Sequence, residues 1–229
     1  MENTGIIPIP GFSEPVSSFT HLFITPFFLV LAILLLIKRY GHRGTFLFHL
    51  IYIISVFFMF SMSGVYHLLE PGKTPRLVLQ RLDHAGIFLM IAATFTPVHG
   101  ILFRGFKRWG FLGIIWSLAI SGISLKTIFF DSIPELLGLS FYLGLGWIGA
   151  ISGTMVYKTY GYNFIRPLLY GAYAYTIGAI ADFLKLPLLI KGVLEAHEIF
   201  HIFVIIGVFF HWQFIYSFAS QTFKNSKAP

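Results

Sequence analysis

The sequence predicts an all-α membrane protein whose fold is a bundle of seven transmembrane helices. Of its 229 residues, 56% are hydrophobic and only 11% are charged, which is outside the usual composition of soluble domains. Apolar runs of about 20 residues, the length at which a helix crosses the hydrocarbon core, recur along the chain. Composition and run length together predict an integral, multi-pass protein of the cell membrane, either a plasma membrane or a bacterial inner membrane.

Seven apolar runs follow one another with no internal repeat. In chain order, the predicted spans cover about residues 19–37, 45–69, 82–103, 110–125, 136–156, 167–184 and 196–218. A polar, proline-containing segment, 1–18, is expected at the membrane interface, and it lacks the features of a cleavable signal peptide. The seven-helix domain is therefore expected to occupy residues 19–220, with a short polar tail at 221–229.

The chain is basic, with 16 lysine and arginine residues against 9 aspartate and glutamate residues. In a soluble protein this excess would suggest nucleic acid as a partner. Here the basic residues lie in short connectors between apolar runs, so we expect no nucleic acid and interpret them as holding loops at one membrane face. We call the side that holds the N-terminal segment side A and the opposite side B. Side B connectors carry more basic residues, which predicts that side B is cytoplasmic.

A candidate metal site opens the last span. His197 and His201 are four positions apart, so on a helix they lie on one face, one turn apart. That spacing lets two imidazoles bind one metal ion. The chain has no cysteine, so any transition metal must be held by histidine, aspartate or glutamate.

The alternating direction of the spans brings further polar residues to the same level on side A. His67 ends span two and Asp83 begins span three, at the side where His197 and His201 begin span seven. Three histidines at one depth suit a zinc ion (Zn2+) with water as its fourth ligand. Asp83 is then expected to bind that water or to orient a ligand, and Ser63, one turn before His67, to support it.

For a single histidine, the simpler interpretation is a hydrogen-bonded residue inside the bundle. We adopt it for the four histidines on side B, which are His42, His49, His99 and His211. Two further residues near side A, Glu14 and His21, either cap the site or lie among the lipid headgroups. Asp182 lies on the same side and has no predicted role.

The order of the motifs adds a family resemblance. The motifs are Ser63-x-x-x-His67, Leu82-Asp83-His84 leading into Ala93-Thr94-Phe95-Thr96-Pro97, and His197-x-x-x-His201. As an ordered set they resemble the hemolysin III family, which is grouped with the progestin and adiponectin receptors and the alkaline ceramidases. The resemblance implies a seven-helix bundle with zinc on the three histidines and Asp83 near the water. Family members often read Glu-x-x-Asn-x-x-x-His near the N-terminus, whereas this chain has Ser17 at the asparagine position before His21. Similarity to the adiponectin receptors also implies a site near the cytoplasm, opposite to the orientation that the charges predict.

A second signature competes for the same histidines. Residues 197–201 also match H-E-x-x-H, in which the glutamate is the general base of a metalloprotease. An intramembrane protease of this kind would need a carboxylate ligand further downstream, and no aspartate or glutamate follows Glu198. We therefore interpret the match of Glu198 as fortuitous.

The predicted chemistry is metal-assisted hydrolysis of an amide or ester bond in a membrane lipid. Asp83 would accept the proton, and Ser63 would hydrogen-bond the developing oxyanion. The alternative is a non-enzymatic sensor or homeostasis factor in which zinc is structural and lipids are sensed. A lytic role fits less well, because a pore needs a polar lining and no span carries one. The sequence does not separate the hydrolase from the sensor, nor does it give the oligomeric state.

Overall fold

The computed structural model describes residues 5–40 and 43–220. Its helices are α1 (Pro15–Lys38), α2 (Phe46–Leu68), α3 (Thr74–Leu102), α4 (Phe106–Ile128), α5 (Glu135–Trp147), α6 (Gly149–Tyr160), α7 (Tyr162–Phe183) and α8 (Ala196–Phe218). Single turns of 3-10 helix cover Arg43–Thr45 and Phe130–Ser132. No β-strand occurs within the described ranges, so the predicted all-α class is confirmed.

Helices α5 and α6 form one span that is broken at Ile148, which gives seven helical segments that run across the bundle. Six of them, with α5 and α6 counted as one, are long and apolar enough to cross a membrane. The seventh, α7, is 22 residues long and packs along α8. The chain is therefore an integral, multi-pass membrane protein. The side that faces the cytoplasm and the bounds of the domain stay predictions. Residues 1–4, 41–42 and 221–229, which include His42, lie outside the described residues.

Two predicted span boundaries are wrong. Helix α3 begins at Thr74 rather than near residue 82, because Pro75 in its first turn suits a helix start. Asp83 consequently lies in the third turn, well inside the helix. Helix α7 begins at Tyr162 rather than at Pro167, directly after Gly161, whose φ of 80° ends α6.

The helices pack with large apolar side chains both inside and outside the bundle. Helix α2 lies between α1 and α3, α3 contacts α4, and α8 contacts both α7 and α1. Gly207 allows α8 to approach α7 closely, since a Cβ atom there would lie 2.7 Å from the Tyr175 ring. On the outer surface, side chains such as those of Phe23, Ile54 and Trp109 are exposed. An outer surface of this kind suits contact with lipid rather than water.

The N-terminal segment is tied to the side A end of the bundle, and its expected place at the membrane interface stays a prediction. The Ile7 N–H donates to the Gly192 carbonyl at 2.8 Å, which fixes the segment to the loop before α8. The Ser13 and Glu14 N–H groups donate to carbonyls at the end of α2, at 3.2 and 3.0 Å. This path carries the segment across the side A ends of two helices and sets Glu14 against α2.

Candidate metal centre

Three histidines meet at the side A end of the bundle. His67 lies in the last turn of α2, while His197 and His201 occupy the first two turns of α8. Their candidate ligand atoms all lie within 4.8 Å of one another. The His197 Nε2 atom is 3.3 Å from Nε2 of His67 and 3.2 Å from Nε2 of His201. Helix spacing and span direction predicted this convergence, and the structure confirms it.

The nitrogen spacing fits a metal ion. Zinc–imidazole bonds of about 2.0–2.1 Å in a tetrahedral site place the nitrogens of neighbouring ligands roughly 3.3–3.4 Å apart. The two Nε2 separations in the centre, 3.3 and 3.2 Å, are close to that value. A donor set of imidazoles without thiolates suits zinc, copper, iron or nickel. The three histidines could therefore hold a transition-metal ion.

Acidic side chains lie beside the outer ring nitrogens of two candidate ligands. The Nδ1 atom of His67 is hydrogen-bonded to the Glu14 carboxylate, and Nδ1 of His197 lies 3.4 Å from Oδ1 of Asp182. A proton on each Nδ1 leaves the Nε2 lone pair facing the other histidines, which is the tautomer a metal requires. Nδ1 of His201 lies near the Ser17 backbone, outside hydrogen-bond geometry. Asp182, which the sequence left without a role, thus contacts a candidate ligand.

Glu14 also forms a buried ion pair with Arg76. The Arg76 guanidinium donates to Glu14 and, at 2.6 Å, to the Leu69 carbonyl, and its side chain is only 2% exposed. Burial alone would raise the pKa of Glu14, but its hydrogen bonds and the charges of His67 and Arg76 outweigh burial and leave that pKa below its ordinary value. The position of Glu14 is therefore the capping one of the two that the sequence left open.

We expect Glu14→Ala to lower the free energy of unfolding by roughly 3–5 kcal/mol, because it leaves Arg76 buried without its carboxylate. Losing the carboxylate behind His67 should also weaken metal binding roughly 10–100-fold. Denaturant unfolding in detergent and a competition titration with a metal chelator measure the two effects.

The matched control is Asp131→Ala, which removes the acid of the Arg81–Asp131 pair, where the Asp131 side chain is 86% exposed. An exposed pair of this kind contributes about 0–1 kcal/mol. Equal effects of the two substitutions would show that the buried pair does not support the centre.

Asp83 and Ser63 lie together beside the histidines. Asp83 lies in the third turn of α3, with the Ser63 side chain of α2 close to its carboxylate. Ser63 is 2% exposed, while the Asp83 side chain keeps 14% of its surface accessible. The structure therefore places a carboxylate next to the candidate metal ligands. The catalytic roles of both residues stay predictions.

His21 and Glu198 also pack around the centre. The His21 ring stacks on the His201 ring, with centroids 4.0 Å apart and planes 11° apart, so His21 does not lie among the headgroups. Glu198 accepts hydrogen bonds from the Ser17 hydroxyl at 2.8 Å and from the Glu195 N–H at 3.0 Å. Glu198 thus serves in the N-terminal capping box of α8.

Comparison with known proteins agrees with this arrangement. The family model for Haemolysin-III related proteins matches residues 12–212, a stretch that contains the whole centre. The chain belongs to the hemolysin III family. It is 33% identical to Hemolysin-3 of Bacillus cereus over 172 residues, which covers 74% of each chain. It is 30% identical to the Hemolysin-3 homolog of Bacillus subtilis (strain 168) over 169 residues, which covers 74% of this chain and 76% of that protein. Heptahelical transmembrane protein 4 of Arabidopsis thaliana is 27% identical over 180 residues, 68% of this chain and 44% of that protein.

Three of the four side B histidines of this hemolysin III protein behave as the simpler interpretation predicts, and the fourth, His42, lies outside the described residues. His49 Nδ1 bonds the Thr45 carbonyl at 2.8 Å, and His211 Nε2 lies 3.3 Å from the Leu168 carbonyl. His99 bonds the Lys107 carbonyl through Nδ1 at 2.6 Å and the Ser152 hydroxyl through Nε2 at 2.8 Å. All three are therefore hydrogen-bonded residues of the bundle.

A large cavity opens beside the centre. Its volume is about 760 Å³, and it runs between α3 and the helices α5 to α8. Asp83, His197 and Asp182 lie at its side A end, and Tyr157 and Tyr162 lie toward side B. Most of its remaining lining is apolar. A space of this size and character suits a ligand with a long hydrocarbon portion.

Proposed function

We propose that this hemolysin III protein is a zinc-dependent hydrolase that cleaves an amide or ester bond in a membrane lipid. The observation that carries the proposal is the position of Asp83. It lies beside three converging imidazoles and at the end of an apolar cavity that crosses much of the bundle. A lipid whose hydrocarbon chain fills the cavity would present its polar linkage at that end.

The residues of the chain supply distinct parts of the reaction. Zinc held by His67, His197 and His201 would make a water molecule acidic and polarise the lipid carbonyl. Asp83 would accept a proton from that water as its oxygen attacks the carbonyl carbon, and would then pass the proton to the departing amine or alcohol. The products are a carboxylic acid and a free amine or alcohol. Water supplies the oxygen and hydrogen that balance the equation.

Ser63 fits two roles in this scheme. Its hydroxyl lies beside the Asp83 carboxylate, where it would donate a hydrogen bond and fix the direction of the carboxylate before the reaction. The same hydroxyl could turn toward the oxyanion while the carbonyl becomes tetrahedral. A hydroxyl donor placed in advance costs little reorganisation when charge develops.

A sensor with a structural metal is the second candidate, and the buried network around Glu14 favours it. That network ties the N-terminal segment to α2 and α3, while the histidines tie α2 to α8. A purely structural centre needs the same connections, but it does not need Asp83 to face a cavity. The names of the Bacillus relatives suggest a lytic role. A lytic pore needs a polar lining, whereas the lining of this cavity is mostly apolar.

The test is hydrolysis by the purified protein reconstituted with a panel of lipid amides and esters. We expect mass spectrometry to detect fatty acid release that stops with a chelator, returns with zinc and is absent from His197→Gln. His99→Gln provides a control histidine on the opposite side of the membrane. Release that ignores the chelator, or none from any lipid while zinc is bound, would contradict the hydrolase and favour the sensor.

A further inference from the structure

The cavity wall next to the metal centre contains a buried lysine without a partner. Lys126 lies in the last turn of α4 and is 8% exposed. Among the described residues it forms no hydrogen bond and no ion pair, and its ammonium lies 4.4 Å above the Phe130 ring. Two carboxylates act on it electrostatically, but each is bound to another cation: Asp131 to Arg81 at 3.3 Å and Glu135 to Lys185 at 3.1 Å.

Lysines at the ends of membrane helices normally extend toward water. Lys158, in the last turn of α6, follows that pattern and is exposed. Lys126 instead turns into the cavity wall, where its Nζ atom lies close to Gly138 of α5. A Cβ atom at Gly138 would lie 3.6 Å from the Lys126 Nζ atom. An ammonium that faces a mostly apolar cavity is costly unless an anion compensates it, so this position favours a negatively charged ligand.

Two further polar groups face the same part of the cavity. Tyr142 of α5 has a buried hydroxyl with no hydrogen bond to the described part of the chain. His84 of α3 donates from Nδ1 to the Gln80 carbonyl at 2.8 Å, which leaves its Nε2 atom free to accept a hydrogen bond. The rings of His84 and Phe130 meet edge to face at 4.9 Å, so His84 and Lys126 share one aromatic neighbour.

We propose that Lys126, Tyr142 and His84 form a subsite for an anionic oxygen group, a phosphate or a carboxylate, on the head of a lipid in the cavity. The ammonium and the phenol hydroxyl donate hydrogen bonds to the anionic oxygens. The His84 Nε2 atom accepts from a neighbouring hydroxyl of the head. Because His84 follows Asp83 directly in α3, a head bound here keeps the lipid linkage next to the metal centre. The inference rests on the proposed function only in taking the cavity as the lipid site.

Binding is measured with three probes that cannot be hydrolysed and share one hydrocarbon chain length: an oleyl ether phosphate, oleic acid and an uncharged oleyl glycerol ether. We expect Lys126→Met to weaken binding of one or both anionic probes about tenfold or more and to leave the uncharged ether unchanged. The anionic probe with the larger loss identifies phosphate or carboxylate as the preferred head. Lys158→Met, the same substitution outside the cavity, should change none of the three.

Tyr142→Phe is the second variant, in case Lys126→Met does not fold. It keeps the ring, removes one donor, and should weaken the anionic probes alone by several-fold. Unchanged anionic binding, or an equal loss for all three probes, in whichever variants fold would overturn the subsite. Since no probe reacts, binding can succeed in a protein that shows no hydrolysis, and it can fail in one that hydrolyses neutral lipids.

Discussion

Asp83→Asn is expected to lower the rate of lipid hydrolysis by roughly 10²–10⁴-fold, the usual contribution of a general base. The amide has nearly the shape of the carboxylate but cannot accept the proton from water. Metal content should stay close to that of the unmodified protein, because the three histidines remain. Fatty acid release and metal content measured on one preparation separate lost chemistry from a lost metal.

Glu198→Gln is the matched control, since it makes the same chemical change at the other candidate base. We expect a rate close to that of the unmodified protein. Glu198 is 1% exposed and engaged with Ser17 and the backbone of Glu195, and glutamine also serves in capping boxes. The reverse result, with Glu198→Gln inactive and Asp83→Asn active, would support the metalloprotease interpretation. Full activity of both variants would rule out either carboxylate as the base.

Purified protein is expected to carry about one zinc ion per chain, and His67→Gln, His197→Gln or His201→Gln should each reduce this to a small fraction. Each substitution leaves two imidazoles, too few for a stable tetrahedral site. The melting temperature should fall as well, because a metal at 100 times its Kd stabilises the folded state by about 2.7 kcal/mol. Elemental analysis by mass spectrometry and thermal unfolding in detergent measure the two quantities.

His211→Gln controls for the loss of a histidine from the same helix. Its ring contacts the Leu168 carbonyl, far along α8 from the centre, so zinc content should not change. Full zinc content in all three ligand variants would place the metal elsewhere. Loss of zinc in His211→Gln to the same extent would mean that the losses report misfolding rather than ligand removal.

Simple geometry was enough to predict which three histidines converge. Helical spacing pairs His197 with His201, and alternating span direction brings His67 to the same membrane face. Both rules depend only on position along helices. They hold even though the loops between the helices could not be predicted.

The contacts that hold the three histidines in place could not be predicted in this way. Arg76 reaches Glu14 because α3 starts several residues outside its apolar run, and hydropathy detects only the part of a helix that lies in hydrocarbon. The break between α5 and α6 had no strong signal either. Gly149 follows the break directly and packs against the Phe95 ring of α3, 3.1 Å from where a Cβ atom would lie. Such contacts join residues from distant parts of the chain.

The candidate centre combines one histidine of α2 with two of α8, so it is incomplete during most of the synthesis of the chain. When α2 has entered the membrane, His67 is in place alone, and no chain that stops before Ala196 holds more than one of the three histidines. A metal that needs all three histidines would therefore bind only after α8 has been synthesised and has docked against α1 and α7. A centre that holds its metal would therefore indicate a bundle in which α8 has been inserted and packed.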